Sequence, residues 1–186
     1  PWRAEVGGGP ILINMIHEVG ILRTLIGEIT AVQAIASSNV RKFKVEDTVA
    51  INFVFANGAL GTFLLSDTAA TAKSWEQTSG ENLSYPNYPK EDCYVVTGTR
   101  GSLSIPSMQL KYYPDNVDPS WWSSFSEEVL PTKRSDPLKC QLEHFVRVIL
   151  DIEQPRVSVN EGYRNLLITE AIKESILTKS LVEIEV

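Results

Sequence analysis

An Asn-Gly pair set between two strand-like runs most constrains what this chain can fold into. Residues 48–55 and 60–68 flank Ala56-Asn57-Gly58-Ala59. Asn-Gly tolerates the left-handed backbone angles that a tight hairpin needs, so the two runs are expected to pair antiparallel. A second signal of this kind lies further on, where residues 93–97 and 102–105 flank Gly98-Thr99-Arg100-Gly101. Partial alternation predicts further strands at 29–37, 110–113 and 128–130, with an edge strand at 181–186.

Helical signals bracket this β-rich centre. Gly7-Gly8-Gly9-Pro10 gives a turn and a residue suited to a first helical position, and the helix expected over 11–26 stops at Gly27. Asp136 and Pro137 open a second helix with Leu138, Leu142, Phe145, Val146 and Ile149 along one face. Ser158-Val159-Asn160-Glu161 has the form of a capping box for a third helix that runs to residue 179. Strands in a block with helices at the ends predict an α+β domain, a mostly antiparallel open sheet with helices packed on one face. Val49, Ile51, Phe53 and Phe55 alternate with Ala50, Asn52 and Val54, so the second face is not strongly polar. Another subunit or domain is expected to cover it.

At 186 residues and 43% apolar content, the chain is long enough for one domain with a real core over 1–186. The net charge of -6 argues against a nucleic-acid partner, because neutralising phosphates takes a basic stripe. The densest cationic run, Arg41-Lys42-Phe43-Lys44, reads as a solvated loop. The apolar run from Ile11 to Ile16 is too short to span a membrane, and the opening residues do not resemble a signal peptide, so a cytoplasmic protein is expected. Cys93 and Cys140 lack metal-ligand spacing and read as reduced thiols, and no metal site is expected. The Pro1-Trp2-Arg3 opening, without an initiator Met, reads as the start of a fragment.

Standard catalytic motifs are missing from the sequence: there is no nucleophile elbow, phosphate-binding loop, paired-His metal motif or Cys-x-x-Cys. Gly7-Gly8-Gly9 has neither the preceding strand nor the spacing of a dinucleotide fingerprint, so no residue here is assigned to cofactor binding. His144 reads as a packed or surface helix histidine. His17 follows the glycine turn, with Asn14 three residues back on the same expected helix face. An imidazole there can take or give a proton at a hydroxyl undergoing oxidation. Taken alone, however, the residues favour a half-buried structural histidine. The loop over 70–92 carries Trp75-Glu76-Gln77. Trp75 is suited to cover the C–H face of a sugar and Glu76 to take its hydroxyls, or else the loop touches a subunit or folds on itself. Trp121-Trp122 reads as packing over a sheet edge or an interface.

Four stretches together resemble the C-terminal domain of the Gfo/Idh/MocA family (glucose–fructose oxidoreductase, inositol dehydrogenase and relatives). They are Trp2-Arg3 with Gly7 through His17; Glu46-Asp47-Thr48 leading to Phe55 through Gly61; Gly98 through Leu103 with Pro106; and Leu142-Glu143-His144-Phe145 through Pro155 with Glu170-Ala171-Ile172 and Ser175. The resemblance implies an N-terminal Rossmann domain lying outside this chain, which would bind most of the NAD or NADP. It also implies hydride transfer at a hydroxyl-bearing carbon of a sugar or polyol, and a homodimer or homotetramer built through the open sheet face. His17 matches the family's histidine and is expected to work as its acid/base together with a Lys that the resemblance places in the Rossmann half, with Asn14 positioning substrate. Trp2 and Arg3 fall where the family's chain enters the substrate cleft and are expected substrate contacts, beside Trp75 and Glu76. The family's Asp, four residues before the histidine, is Ile13 here. That departure leaves a second reading open: a redox-inactive member serving as a ligand-binding or assembly module. On the first reading this fragment alone is expected to be inactive.

Overall fold

The computed structural model describes residues 2–185, which form two compact units, Pro1–Ala69 with Arg156–Val186 and Ala70–Pro155. In the first unit a 3-10 turn, Trp2–Ala4, leads to a π-helical turn, Ile11–Met15, that runs on into α1 (Ile16–Leu25). Three strands follow, β1 (Ile29–Ser37), β2 (Thr48–Phe55) and β3 (Leu60–Ser66). The unit closes with α4 (Val159–Thr178) and β8 (Val182–Glu183). Its sheet is antiparallel with strand order β3-β2-β1-β8.

The β2–β3 hairpin forms where Asn57-Gly58 places it. Gly58 has φ +84, and the Asn57 side chain accepts from the Ala59 N–H while donating to the Ile26 carbonyl, tying the turn to the end of α1. Alternation puts Val49, Ile51, Phe53 and Phe55 on the inner face with Ile29, Val32 and Ala34 of β1. Helices cover that face: Met15 and Val19 from the first, and Ile168, Ala171 and Ile172 from α4, complete the core. Burying Met15, Val19, Ile168 and Ile172 is worth roughly 6–12 kcal/mol before entropy is charged.

β8 is too short to pair with the whole of β1, meeting it at Ala31 and Val32, with the Ile184 N–H donating to the Thr30 carbonyl just past them. Ahead of its first residue the buried Ser175 hydroxyl of α4 accepts the Ala34 N–H at 2.9 Å and donates to the Ser180 carbonyl at 2.6 Å. One hydroxyl thus completes the edge that the strand leaves open. The opposite face of the sheet carries Ile35, Leu60 and Leu64, each at least 70% exposed, beside Gln33, Asn52 and Thr62. The α+β class and the antiparallel pairing are as read from sequence. The open face is more apolar than β2 alone indicates, because β1 and β3 add the large side chains.

The second unit holds a one-turn helix, α2 (Trp75–Thr78), then β4 (Tyr94–Thr97), β5 (Gly101–Ile105), β6 (Gln109–Tyr112) and β7 (Ser126–Val129), and finally α3 (Pro137–Ile149). The four strands make a separate antiparallel meander in the order β4-β5-β6-β7. The strands therefore fall into two sheets, where the sequence suggested one. Asp136 caps α3, its Oδ1 accepting from Leu138 and Lys139. The loop after β6 is held by Arg100, whose guanidinium donates to the carbonyls of Tyr113, Pro114 and Val117. Tyr113 stacks on Phe125 and donates to the Ser120 carbonyl, so the loop closes on itself. Trp121 and Trp122 are left 100% and 96% exposed, and the sheet-edge packing expected for them is not made.

Candidate functional site

His17 is the second residue of α1, and both it and Asn14 face solvent. Neither side chain has a hydrogen-bond partner among the described residues, so no bond joins the two. The half-buried, satisfied histidine favoured by the residues alone is not what the fold presents. The turn that carries Asn14 is π-helical, spreading more than 3.6 residues over each turn, so regular-helix spacing does not carry across it. Ile13 is half-buried in the same turn, in the place of the carboxylate expected there.

His17 opens on a groove of about 620 Å³ lined on one side by Gly20 and Thr24 of α1 and on the other by Gly162 and Asn165 of α4, with Arg156 at its rim. Arg23 forms part of its wall. Its guanidinium pairs bidentately with Glu28 at 2.7 and 3.0 Å, donates to Asn165 Oδ1 at 2.6 Å, and meets Glu161 at 2.9 Å. The hydrogen bond to Glu28, with the charges of Glu28 and Glu161, holds Arg23 further above its ordinary range. The bond from Arg23 does most to hold Glu28 below the usual carboxylate range. Glu161 therefore spends its carboxylate on Arg23. Of the expected capping box, the Ser158 hydroxyl accepting the Glu161 N–H at 3.2 Å is the half that is formed.

Before this helix the chain is folded tightly. The Arg3 guanidinium lies 5.6 Å from the Trp2 ring centroid, and both side chains are exposed. A Cβ on Gly8 would collide with the Trp2 carbonyl and the Arg3 backbone, and one on Gly9 would run into the Glu46 carboxylate. Glu46 Oε1 accepts the Ile11 N–H at 2.9 Å. A carboxylate thus already occupies the start of this helix, where a pyrophosphate would need free N–H groups and no competing negative charge. The residues at this helix start do not fit a dinucleotide. No group of three or more His, Cys, Asp or Glu suited to a metal ion occurs among the described residues.

The other candidates sit in the second unit. Trp75 donates its indole N–H to Glu81 at 2.9 Å and packs on Tyr94 at 6.2 Å, so this aromatic is committed to its own loop. Glu76 beside it is exposed. His144 Nδ1 lies 2.8 Å from Glu153, which also accepts from Arg147, a brace between α3 and the loop after it. Sequence reasoning missed Arg23 and Glu46. Arg23 lay inside a helical pattern as one more polar residue, and Glu46 was quoted only as part of a motif, because both act on partners remote in sequence.

An antiparallel sheet covered on one face by helices, with a solvent-facing histidine on the first of them, defines an α+β domain. The chain belongs to the GFO/IDH/MocA C-terminal domain family, whose model matches residues 1–104. Solved structures share the fold across nearly all of the chain. An NAD-binding protein from Listeria innocua matches at TM-score 0.73 and 23% identity, over 98% of this chain and 50% of its own. A levoglucosan dehydrogenase in complex with NADH and levoglucosan matches at 0.71 and 20%, over 100% and 54%. An oxidoreductase from Agrobacterium radiobacter, in complex with NAD+, L-tartaric acid and magnesium, matches at 0.67 and 18%, over 98% and 51%. The chain spans about half the length of these structures. A search of curated protein sequences returns no match.

Proposed function

We propose that this chain is the substrate-side half of an NAD(P)-dependent oxidoreductase acting on a sugar or polyol hydroxyl, with His17 as its acid/base. The observation that carries this reading is that His17 and Asn14 both face solvent, unpartnered, on the helix behind the glycine turn. A histidine kept for packing has its ring nitrogens satisfied; one kept for proton transfer has to offer them. Hydride chemistry belongs to the nicotinamide, held chiefly by an N-terminal Rossmann half. This chain's part is the proton. His17 takes it from the substrate hydroxyl as the carbon is oxidised and returns it in reduction, while Asn14 fixes the hydroxyl by hydrogen bonding. An amide can orient a hydroxyl but cannot act as base or stabilise an imidazolium, so on this side the proton work falls on His17, acting with a Lys of the Rossmann half. Arg3 and Trp2 stay proposed substrate contacts of the first unit; Trp75 and Glu76 are proposed separately as sugar contacts of the second, Trp75 acting by its ring face since its N–H is spent. Sugar-binding dehydrogenases among the structures of the same fold support the substrate class.

The exposed Ile35, Leu60 and Leu64 support assembly of the complete protein into a homodimer or homotetramer through the open face. Among the described residues no helix is long and apolar enough to cross a membrane.

Ile13, in place of the family's Asp, favours one competing reading, a redox-inactive ligand-binding or assembly module. The protein carrying both halves, given NAD+ or NADP+ with a panel of sugars and polyols, separates the two. Reduced nicotinamide should accumulate with at least one substrate, whereas silence across the panel would support the module. The isolated 186 residues should give no turnover.

A further inference from the structure

We propose that Glu46 is a positioning residue for His17, an inference that rests on the acid/base reading above. The route is a chain of short contacts within the first unit. The backbone around Asp47 is pinned on both sides, its N–H donating to the Ser37 carbonyl at 2.8 Å and its carbonyl accepting from Asp67 at 3.2 Å. The buried Asp47 carboxylate accepts the N–H groups of Val40 and Arg41, closing the loop between β1 and β2. Lys44, two residues before Glu46, pairs with Glu5 at 2.8 Å and ties that loop to the segment ahead of the glycines. Glu46 is thereby presented from a fixed backbone to the start of the helix that carries His17.

There its Oε1 accepts the Ile11 N–H. Pro10 has no N–H, and the first N–H groups of a helix lack intrahelical partners, so Ile11 is where an outside acceptor can act. A carboxylate also meets the positive end of the helix dipole. The turn it grips, Ile11–Met15, is the π-helical one, less regular than an α-turn and dependent on outside contacts for its shape. That turn sets the direction from which Asn14 and His17 leave the helix. Gly9 completes the device, since any Cβ at that position would displace the Glu46 carboxylate.

The test is a set of variants in the protein carrying both halves. Glu46→Ala should lower kcat about ten- to a hundredfold while KM rises no more than about threefold through Asn14, because misplacing a catalytic group costs rate more than binding. Glu46→Gln keeps an acceptor oxygen and should recover most of that loss, remaining about two- to fivefold below wild type for want of charge. Gly9→Ala should match Glu46→Ala, and the double variant should fall no further, as two changes that break one contact are not additive. Amide exchange over residues 11–17 reads the same contact without turnover, and protection should drop in Glu46→Ala and hold in Glu46→Gln. Unchanged protection, additive losses, or a raised KM at constant kcat would each overturn the assignment. If His17→Ala abolishes turnover while Glu46→Ala does not, the positioning role alone fails. If neither variant changes turnover, the acid/base reading fails with it.

Discussion

Two charged residues in the first unit show how much of the site is set by contacts remote in sequence. Arg23, with its side chain 4% exposed, joins the start of β1 to the first turns of α4 through Glu28, Glu161 and Asn165. Arg23→Ala should cost about 2 kcal/mol in urea unfolding, below the cost of breaking a fully buried pair because both carboxylates stay partly solvated. The Asp47 carboxyl is held below the usual carboxylate range, chiefly by the backbone N–H of Arg41, with that of Val40 acting the same way and burial opposing them. A carboxyl whose folded value lies below its unfolded one stabilises at pH above the unfolded value, about 4, and loses that contribution as pH falls through the folded one. The urea midpoint of the wild type should therefore fall on acidification below about pH 4, and Asp47→Asn should flatten that drop. His17 was visible in the sequence as a candidate, but its exposure was not, since burial depends on which face of the helix meets the sheet. The replacement of the expected Asp by Ile13 was legible at once, because it needs only a motif and a count.

At the scale of elements, the hairpins and caps were the most legible features because their causes are local. Asn57-Gly58 turns β2 into β3, and Asp136 begins α3, each through neighbours one to three residues away. Asp136→Ala should lower stability by about 1 kcal/mol by releasing the two N–H groups it caps. The π-helical turn ahead of α1 was not legible, since its apolar spacing also fits a regular helix. Nor was the start of β8: alternation begins at Leu181, but pairing to β1 begins only at Val182, and ahead of it the Ser175 hydroxyl takes the Ala34 N–H. A Ser175→Ala change should cost about 1–3 kcal/mol, the penalty for leaving the buried Ala34 N–H unsatisfied.

For the whole molecule, the composition and the order of elements led to the α+β class, while the division of the strands between two sheets depends on loops whose partners are non-local. The open face of the first sheet is the proposed assembly surface. Leu64→Lys combined with Ile35→Lys should shift the complete protein toward monomer in sedimentation, leaving far-UV circular dichroism unchanged. The His17 imidazole faces solvent on a helix whose first turn is held by Glu46. The most direct measurement is the steady-state rate of nicotinamide reduction by the complete protein and its His17→Ala variant, on the best substrate of a sugar and polyol panel. An acid/base role predicts a fall in kcat of about 10²- to 10⁴-fold at unchanged thermal stability. A variant turning over as fast as the wild type would contradict it.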